Sequence, residues 1–118
     1  MPTMPYNQGD VVLVLYPDSN LRTAKRRPAL VVQADGLRTG LPQTIVAMIT
    51  SNVDRARHAS RVLVSQSSSA GQQMGLRTDS VVMTDNLVTV LDSEIDRTIG
   101  RIPDICPVSD ALRHTFGL

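Results

Sequence analysis

Lys25-Arg26-Arg27-Pro28-Ala29-Leu30-Val31-Val32-Gln33 is the stretch from which the fold is read. Three cations run into a proline, and the proline runs into an apolar, β-branched segment. Proline has no N–H to give to a ladder, so it suits the first position of a strand. The spacing therefore predicts a loop through Arg27 and a strand over residues 29–33. Upstream, Gly9-Asp10 reads as a turn, and residues 11–16 are short and rich in valine, as a buried strand is. Pro17-Asp18-Ser19-Asn20 breaks that strand. Downstream, residues 44–50 are apolar on both faces, which marks a central strand, and they end abruptly in the polar run Thr50-Ser51-Asn52. Charge is thus delivered where a loop meets a buried element.

The remainder continues in short pieces. Residues 53–60 read as a basic loop, and residues 61–64 alternate polar and apolar like a half-buried strand. Ser65-Gln66-Ser67-Ser68-Ser69-Ala70-Gly71 is a flexible loop by composition. Residues 80–84 form a fifth strand, residues 86–91 a sixth or a short helix leading into one, and residues 98–102 a short strand closed by Pro103. Residues 104–116 end as a helix, with Val108, Leu112 and Thr115/Phe116 on its apolar face. Ser109 or Asp110 lies near its start and Gly117 stops it. Many short strands at close intervals predict a mainly β fold, a small barrel or sandwich in one domain over residues 1–118, with residues 1–7 as a loose leader.

At 118 residues the chain can bury one core. Tyr6, Tyr16 and Phe116 are the only aromatics, so that core is built from Val, Leu, Ile and Met. A formal net charge of +1 conceals an asymmetry: residues 22–61 hold eight cations and two acids, and the rest holds four cations and nine acids. Such a division fits either a polyanion-facing side or a solvated, internally paired surface. Cys106 is alone, which excludes an internal disulfide, and with no CxxC and two distant histidines a structural zinc site is disfavoured. No apolar run reaches membrane-spanning length and no signal-like segment opens the chain, which reads as soluble and cytoplasmic. Glycine-rich phosphate loops, a GxSxG elbow and clustered acids for two-metal chemistry are missing, so an enzyme of this sequence is expected to work without metal or cofactor.

Three polar groups sit at strand ends. Arg27, fixed by the following proline, is suited to bidentate phosphate binding, or else solvates a loop. Thr50 and Ser51 can donate hydrogen bonds to a phosphate, or simply turn the chain. Asp85 is a base or a turn starter, and His58 competes for the base role because imidazole is the side chain most used in general acid–base chemistry.

In order, these residues form a pattern. Gly9-Asp10-Val11-Val12-Leu13-Val14, followed by Arg27-Pro28-Ala29-Leu30-Val31-Val32, resembles the opening of the MazF/PemK (Kid-like) family of type II toxin–antitoxin endoribonucleases. Ile45-Val46-Ala47-Met48-Ile49-Thr50-Ser51, Asp79-Ser80-Val81-Val82-Met83-Thr84-Asp85-Asn86 and Ile99-Gly100-Arg101-Ile102 are similar to its later motifs. The resemblance implies a small SH3-like barrel of the CcdB/MazF type with a C-terminal α-helix and a short additional helix, assembled as a homodimer. It implies a metal-independent enzyme that cuts single-stranded RNA at short sequences and is restrained by a cognate antitoxin protein. The family's catalytic Arg and Thr fall on Arg27 and Thr50, and the Ser and acid used by some members fall on Ser51 and Asp85.

RNA carries its own nucleophile, the 2′-OH, whose attack leaves a 2′,3′-cyclic phosphate. The protein then supplies positioning, proton transfer and charge stabilisation. Arg22, Lys25, Arg26, Arg55 and Arg57 are expected to track the RNA backbone, with Asn52 and His58 beside them. Met83 and Val88 stand where the family often carries arginine, and Asn86 where it carries glutamine. A catalytically weak RNA binder or a gyrase-targeting toxin on the same fold are the alternatives. A generic SH3-like peptide module is disfavoured by the shortage of aromatics.

Overall fold

The computed structural model describes residues 5–17, 20 and 22–118. Asp18 and Ser19 of the expected strand break lie outside the described residues, as do residues 1–4 of the expected leader. Six strands form one antiparallel sheet: β1 (Asp10–Pro17), β2 (Ala24–Val31), β3 (Gln43–Thr50), β4 (Arg61–Val64), β5 (Ser80–Leu91) and β6 (Ile95–Arg101). Their order across the sheet is β4-β5-β3-β2-β1-β6. A short helix α1 (Ser69–Gln73) precedes β5, and α2 (Cys106–Phe116) ends the chain. The mainly β fold with a C-terminal helix and a short additional helix agrees with the sequence expectation.

The central strands are buried on both faces. Val11, Leu30, Ala47 and Ile49 join Val64, Met74, Val82 and Val108 in one cluster, beneath α1, α2 and β4. The alternate residues Val12, Val14, Ala29, Val31, Val46 and Met48 form a second cluster with Val90 and Ile95. The period of two along each strand thus feeds two cores, which is why these strands read as continuous apolar runs. Tyr6, from the expected leader, packs against the second cluster, and the Gln8 side chain donates to the Val32 carbonyl at 3.0 Å.

Four local expectations are corrected. β2 begins at Ala24, so the loop does not continue through Arg27. Residues 24–28 are exposed or half-buried, and their pairing to β1 is a main-chain interaction without an apolar signature. The fifth and sixth strands are one strand, β5, which bulges where its pairing with β3 steps from Met48↔Met83 to Ala47↔Leu87. Thr84, Asp85 and Asn86 occupy that step, and a bulge tolerates a polar interruption that reads as a break. The serine-rich loop contains α1: Ser68 Oγ accepts from the Gly71 N–H at 3.0 Å, and a Cβ at Gly71 would collide with the Ser65 carbonyl and the Gln66 backbone. In α2, finally, Ser109 and Asp110 lie past the first turn. The helix opens instead on Asp104 Oδ1, which accepts from the Cys106 N–H at 3.0 Å. Its inner face runs Val108, Ala111, Leu112 and Thr115, leaving Phe116 59% exposed. Gly117 ends it at a φ of 69°. No helix among the described residues is long and apolar enough to cross a membrane.

Candidate active site

Pro28 is the point from which the site is built. The β1–β2 ladder runs through it, with Leu13↔Pro28 and Val14↔Arg27 among its rungs. The β2–β3 ladder ends beside it, its last rung being Ala29↔Met48. A residue without an N–H is tolerated where one neighbouring strand is absent, and here β3 leaves β2. Continuing the lost register by two residues brings Arg27 opposite Thr50. Residues directly opposite share a face, so the two side chains spring from the same side of a fork.

The fork opens into a cleft of about 710 Å³. One wall is Lys25, Arg26, Arg27 and Pro28 of β2, and a second is Ile49, Thr50 and Ser51. Gly75, Leu76, Arg77 and Thr78 after α1, with Ser80 of β5, form a third, and Arg97 and Ile99 of β6 complete it beside Leu13. No carboxylate and no imidazole stands among these lining residues. Arg26 is partly neutralised, its Nε lying 3.0 Å from Asp96 Oδ2. Thr50 Oγ1 accepts from the Asn52 N–H at 3.2 Å, which leaves its hydroxyl hydrogen available to donate.

The sequence-derived candidates divide into two groups. Arg27, Thr50, Ser51, Lys25 and Arg26 meet in the cleft. Asn52, Arg55, Arg57, His58 and Asp85 gather on the β3–β4 connection and the β5 bulge, outside its lining. Arg22 is exposed in the β1–β2 connection, its N–H donating to Asn20 Oδ1 at 2.9 Å. Asn52 caps a 3₁₀ turn over Val53–Ala56, its side chain accepting from the Asp54 N–H. His58 Nδ1 receives the Ser60 N–H at 3.1 Å and stands 2.7 Å from Ser60 Oγ, and the ring meets His114 edge-on at 5.7 Å.

Asp85 is fully engaged. Arg61 Nε donates to Oδ1 at 2.9 Å and its terminal nitrogen to Oδ2 at 2.6 Å, while Arg61 also donates to the Arg55 carbonyl at 3.0 Å. The Arg61 hydrogen bonds hold the Asp85 carboxyl below the usual carboxylate range, outweighing partial burial. A carboxylate with both oxygens in a guanidinium fork and a lowered proton affinity is a poor general base.

That pairing makes a pH prediction. Because the folded-state pKa of Asp85 is lowered, its contribution to stability is full above the unfolded value of about 3.9 and is lost as pH falls through the lower folded value. Asp85→Asn is expected to lower the melting temperature at pH 7 by an amount that shrinks as pH falls below about 4. Thermal melts from pH 2.5 to 7 check this, and a pH-independent difference would count against it.

Sequence reasoning missed Arg77, Thr78 and Arg97. The basic window of residues 22–61 excluded both arginines, although each flanks a predicted strand, the position that had singled out Arg27.

An antiparallel sheet that opens at a strand fork onto a cationic cleft, with no carboxylate among its described lining residues, defines a small β protein with a basic cavity. The sequence places it further: residues 7–115 match the model of the PemK-like, MazF-like toxins of type II toxin–antitoxin systems, and the chain belongs to that family. Among curated relatives, it is 33% identical over 90 residues to Endoribonuclease MazF6 of Mycobacterium tuberculosis, covering 75% of each chain. The solved structure of the Mycobacterium tuberculosis toxin MazF-mt6 superposes with a TM-score of 0.71 at 25% identity, over 92% of this chain and 97% of that one. A mycobacterial endoribonuclease in complex with its cognate antitoxin superposes with a TM-score of 0.72 at 19% identity, over 96% of each chain, a likeness of fold.

Proposed function

We propose that this toxin is an endoribonuclease that cuts single-stranded RNA by 2′-OH attack on the adjacent phosphate, acts as a homodimer, and is restrained by an antitoxin protein. The observation that carries the reading is the placement of Arg27 and Thr50 on opposite arms of one fork. The names of its relatives support the reaction class, and the antitoxin-bound relative supports the partner.

Arg27 offers a planar guanidinium to two non-bridging phosphate oxygens, where charge grows as the phosphorane forms. Thr50 and Ser51 donate hydroxyl hydrogen bonds to the same group. Lys25 and Arg26 draw the RNA backbone in, and Arg22, Arg55, Arg57, Asn52 and His58 extend that basic surface beyond the cleft. With Asp85 bound by Arg61 and no acid or imidazole among the described lining residues, acceleration rests on positioning and electrostatics: as the P–O2′ bond forms and the P–O5′ bond breaks, the 2′-OH proton passes to solvent and the leaving 5′-oxygen takes a proton from solvent. The same donor set is wrong for a divalent cation, which prefers oxygen ligands. A second reading, an RNA binder of low turnover, is favoured by this lack of a base.

The test is incubation with a defined RNA pool in EDTA, followed by end mapping. Cleavage with 2′,3′-cyclic phosphate ends is expected, and a single 2′-deoxy substitution at the mapped cut should abolish it. Continued cutting of the deoxy substrate would exclude this chemistry, and binding without any cutting would establish the second reading.

A further inference from the structure

We propose that Arg77 and Arg97 form a second phosphate-binding wall of the cleft, one that grips an RNA phosphate flanking the scissile one. The proposal rests on reading the cleft as an RNA-cleaving site.

The two arginines come from distant segments, and main-chain contact holds their segments together. Gly75, at a φ of +72°, ends the turn after α1, and a Cβ there would collide with the Ile99 carbonyl. A Cβ at Gly100 would collide with the Gln73 and Met74 main chain. The end of α1 and strand β6 therefore touch backbone to backbone on either side of Ile99, an approach that only glycine permits. The loop carrying Arg77 and Thr78 is seated on the strand carrying Arg97.

Register fixes the direction of Arg97. It pairs with Leu13, and Leu13 pairs with Pro28. Directly paired residues share a face, so Arg97, Leu13 and Pro28 make one row across three strands, and all three line the cleft. Arg27 pairs with Val14 and so belongs to the alternate row; the two rows come to one space at the open end of the fork, where Arg27, Thr50 and Arg97 all line the cleft.

Charge supplies the ligand class. Arg26, Arg61, Arg101 and Arg113 each pair with an aspartate. Arg77 and Arg97 pair with none among the described residues, and both line one cavity with no carboxylate among its described lining residues. Two like charges on one wall repel unless an anion lies between them, and a phosphodiester offers two oxygens to such a pair. The Arg27–Thr50 fork is occupied by the scissile group, so this wall takes a neighbouring phosphate, and the ligand is a chain of at least two phosphodiesters.

The experiment uses the full-length protein and an RNA with one mapped cut site, in which each flanking linkage is replaced in turn by an uncharged methylphosphonate. Arg77→Ala and Arg97→Ala are each expected to raise KM roughly tenfold with kcat within about twofold, the loss of one hydrogen-bonded charge pair. Binding of an uncleavable RNA with 2′-deoxy at the cut should show the same factors in Kd, and its salt dependence should become shallower by about 0.7 in logarithmic slope per arginine removed. One flanking methylphosphonate should weaken the wild type by a similar factor and add nothing in Arg97→Ala. Wild-type Kd and KM in both variants, or additive losses at every linkage, would overturn the proposal. If the wild-type protein binds but cuts no RNA, the ribonuclease reading fails, while an arginine-dependent Kd with the same methylphosphonate pattern still supports the wall.

Discussion

Arg27→Ala is expected to reduce RNA cleavage by about 10²–10³-fold, the usual consequence of deleting one preorganised donor to a developing oxyanion. The described lining residues of the cleft supply hydroxyls and other cations but no carboxylate or imidazole, so the charge on the phosphorane is the main quantity they can stabilise. The loss should fall on kcat, since an interaction made chiefly in the transition state moves kcat and kcat/KM together. Folding should hardly notice, because Arg27 is exposed and belongs to neither core cluster, and surface substitutions usually stay within about 0.5 kcal/mol. Arg27→Lys separates charge from geometry. It keeps the cation and loses the planar fork, so it should recover only part of the rate. Wild-type kcat in Arg27→Ala, with the fold intact, would move the chemistry away from the fork.

How much of this was legible in the sequence follows from where each signal lies. Residues 11–16 and 44–50 announced β1 and β3 because each strand feeds both cores and is apolar throughout. Pro28, read as the first residue of a strand, lies inside β2, where the β2–β3 ladder ends. The front half of β2 was not legible, since Lys25, Arg26 and Arg27 are exposed and charged although they stand in the β1–β2 ladder. β5 looked like two strands because Asp85 and Asn86 fill a bulge, where polarity is tolerated. α1 looked like a linker because five residues rich in Ser and Gln have little intrinsic helicity; its cap at Ser68 and the close seat of Gly71 replace propensity. In the site, counting two residues past the last β2–β3 rung, Ala29↔Met48, sets Arg27 opposite Thr50. Arg61 lies 24 residues from Asp85, Arg97 reaches the cleft through the pairing of β6 with β1, and Arg77 reaches it through the close seat of Gly75 on Ile99. Tertiary proximity of this kind leaves no periodic trace.

Leu30→Ala is the substitution expected to cost the most stability, about 3–5 kcal/mol. Leu30 is fully buried, and it pairs with Val11 on one side and Ala47 on the other. Its cluster is bounded by α2 through Val108 and by β4 through Val64. The cost of a large-to-small change depends on how far the site can collapse. Here the strand is hydrogen-bonded on both flanks, so the backbone cannot move inward, and Ala47 opposite has no side chain long enough to fill the space. The upper part of the range is therefore expected. For a domain of this size about 1 kcal/mol corresponds to roughly 4 °C, so the melting temperature should fall by about 12–20 °C. Leu30 is three residues from Arg27 on the same strand, yet well below the new melting temperature kcat should change little, because the β1–β2 rungs that hold Arg27 persist. Denaturant titration and cleavage at low temperature check both halves. A loss below about 1.5 kcal/mol would mean that the cluster under β2 is loosely packed, and a collapse of kcat in a folded Leu30→Ala protein would mean that packing beneath the strand sets the aim of Arg27.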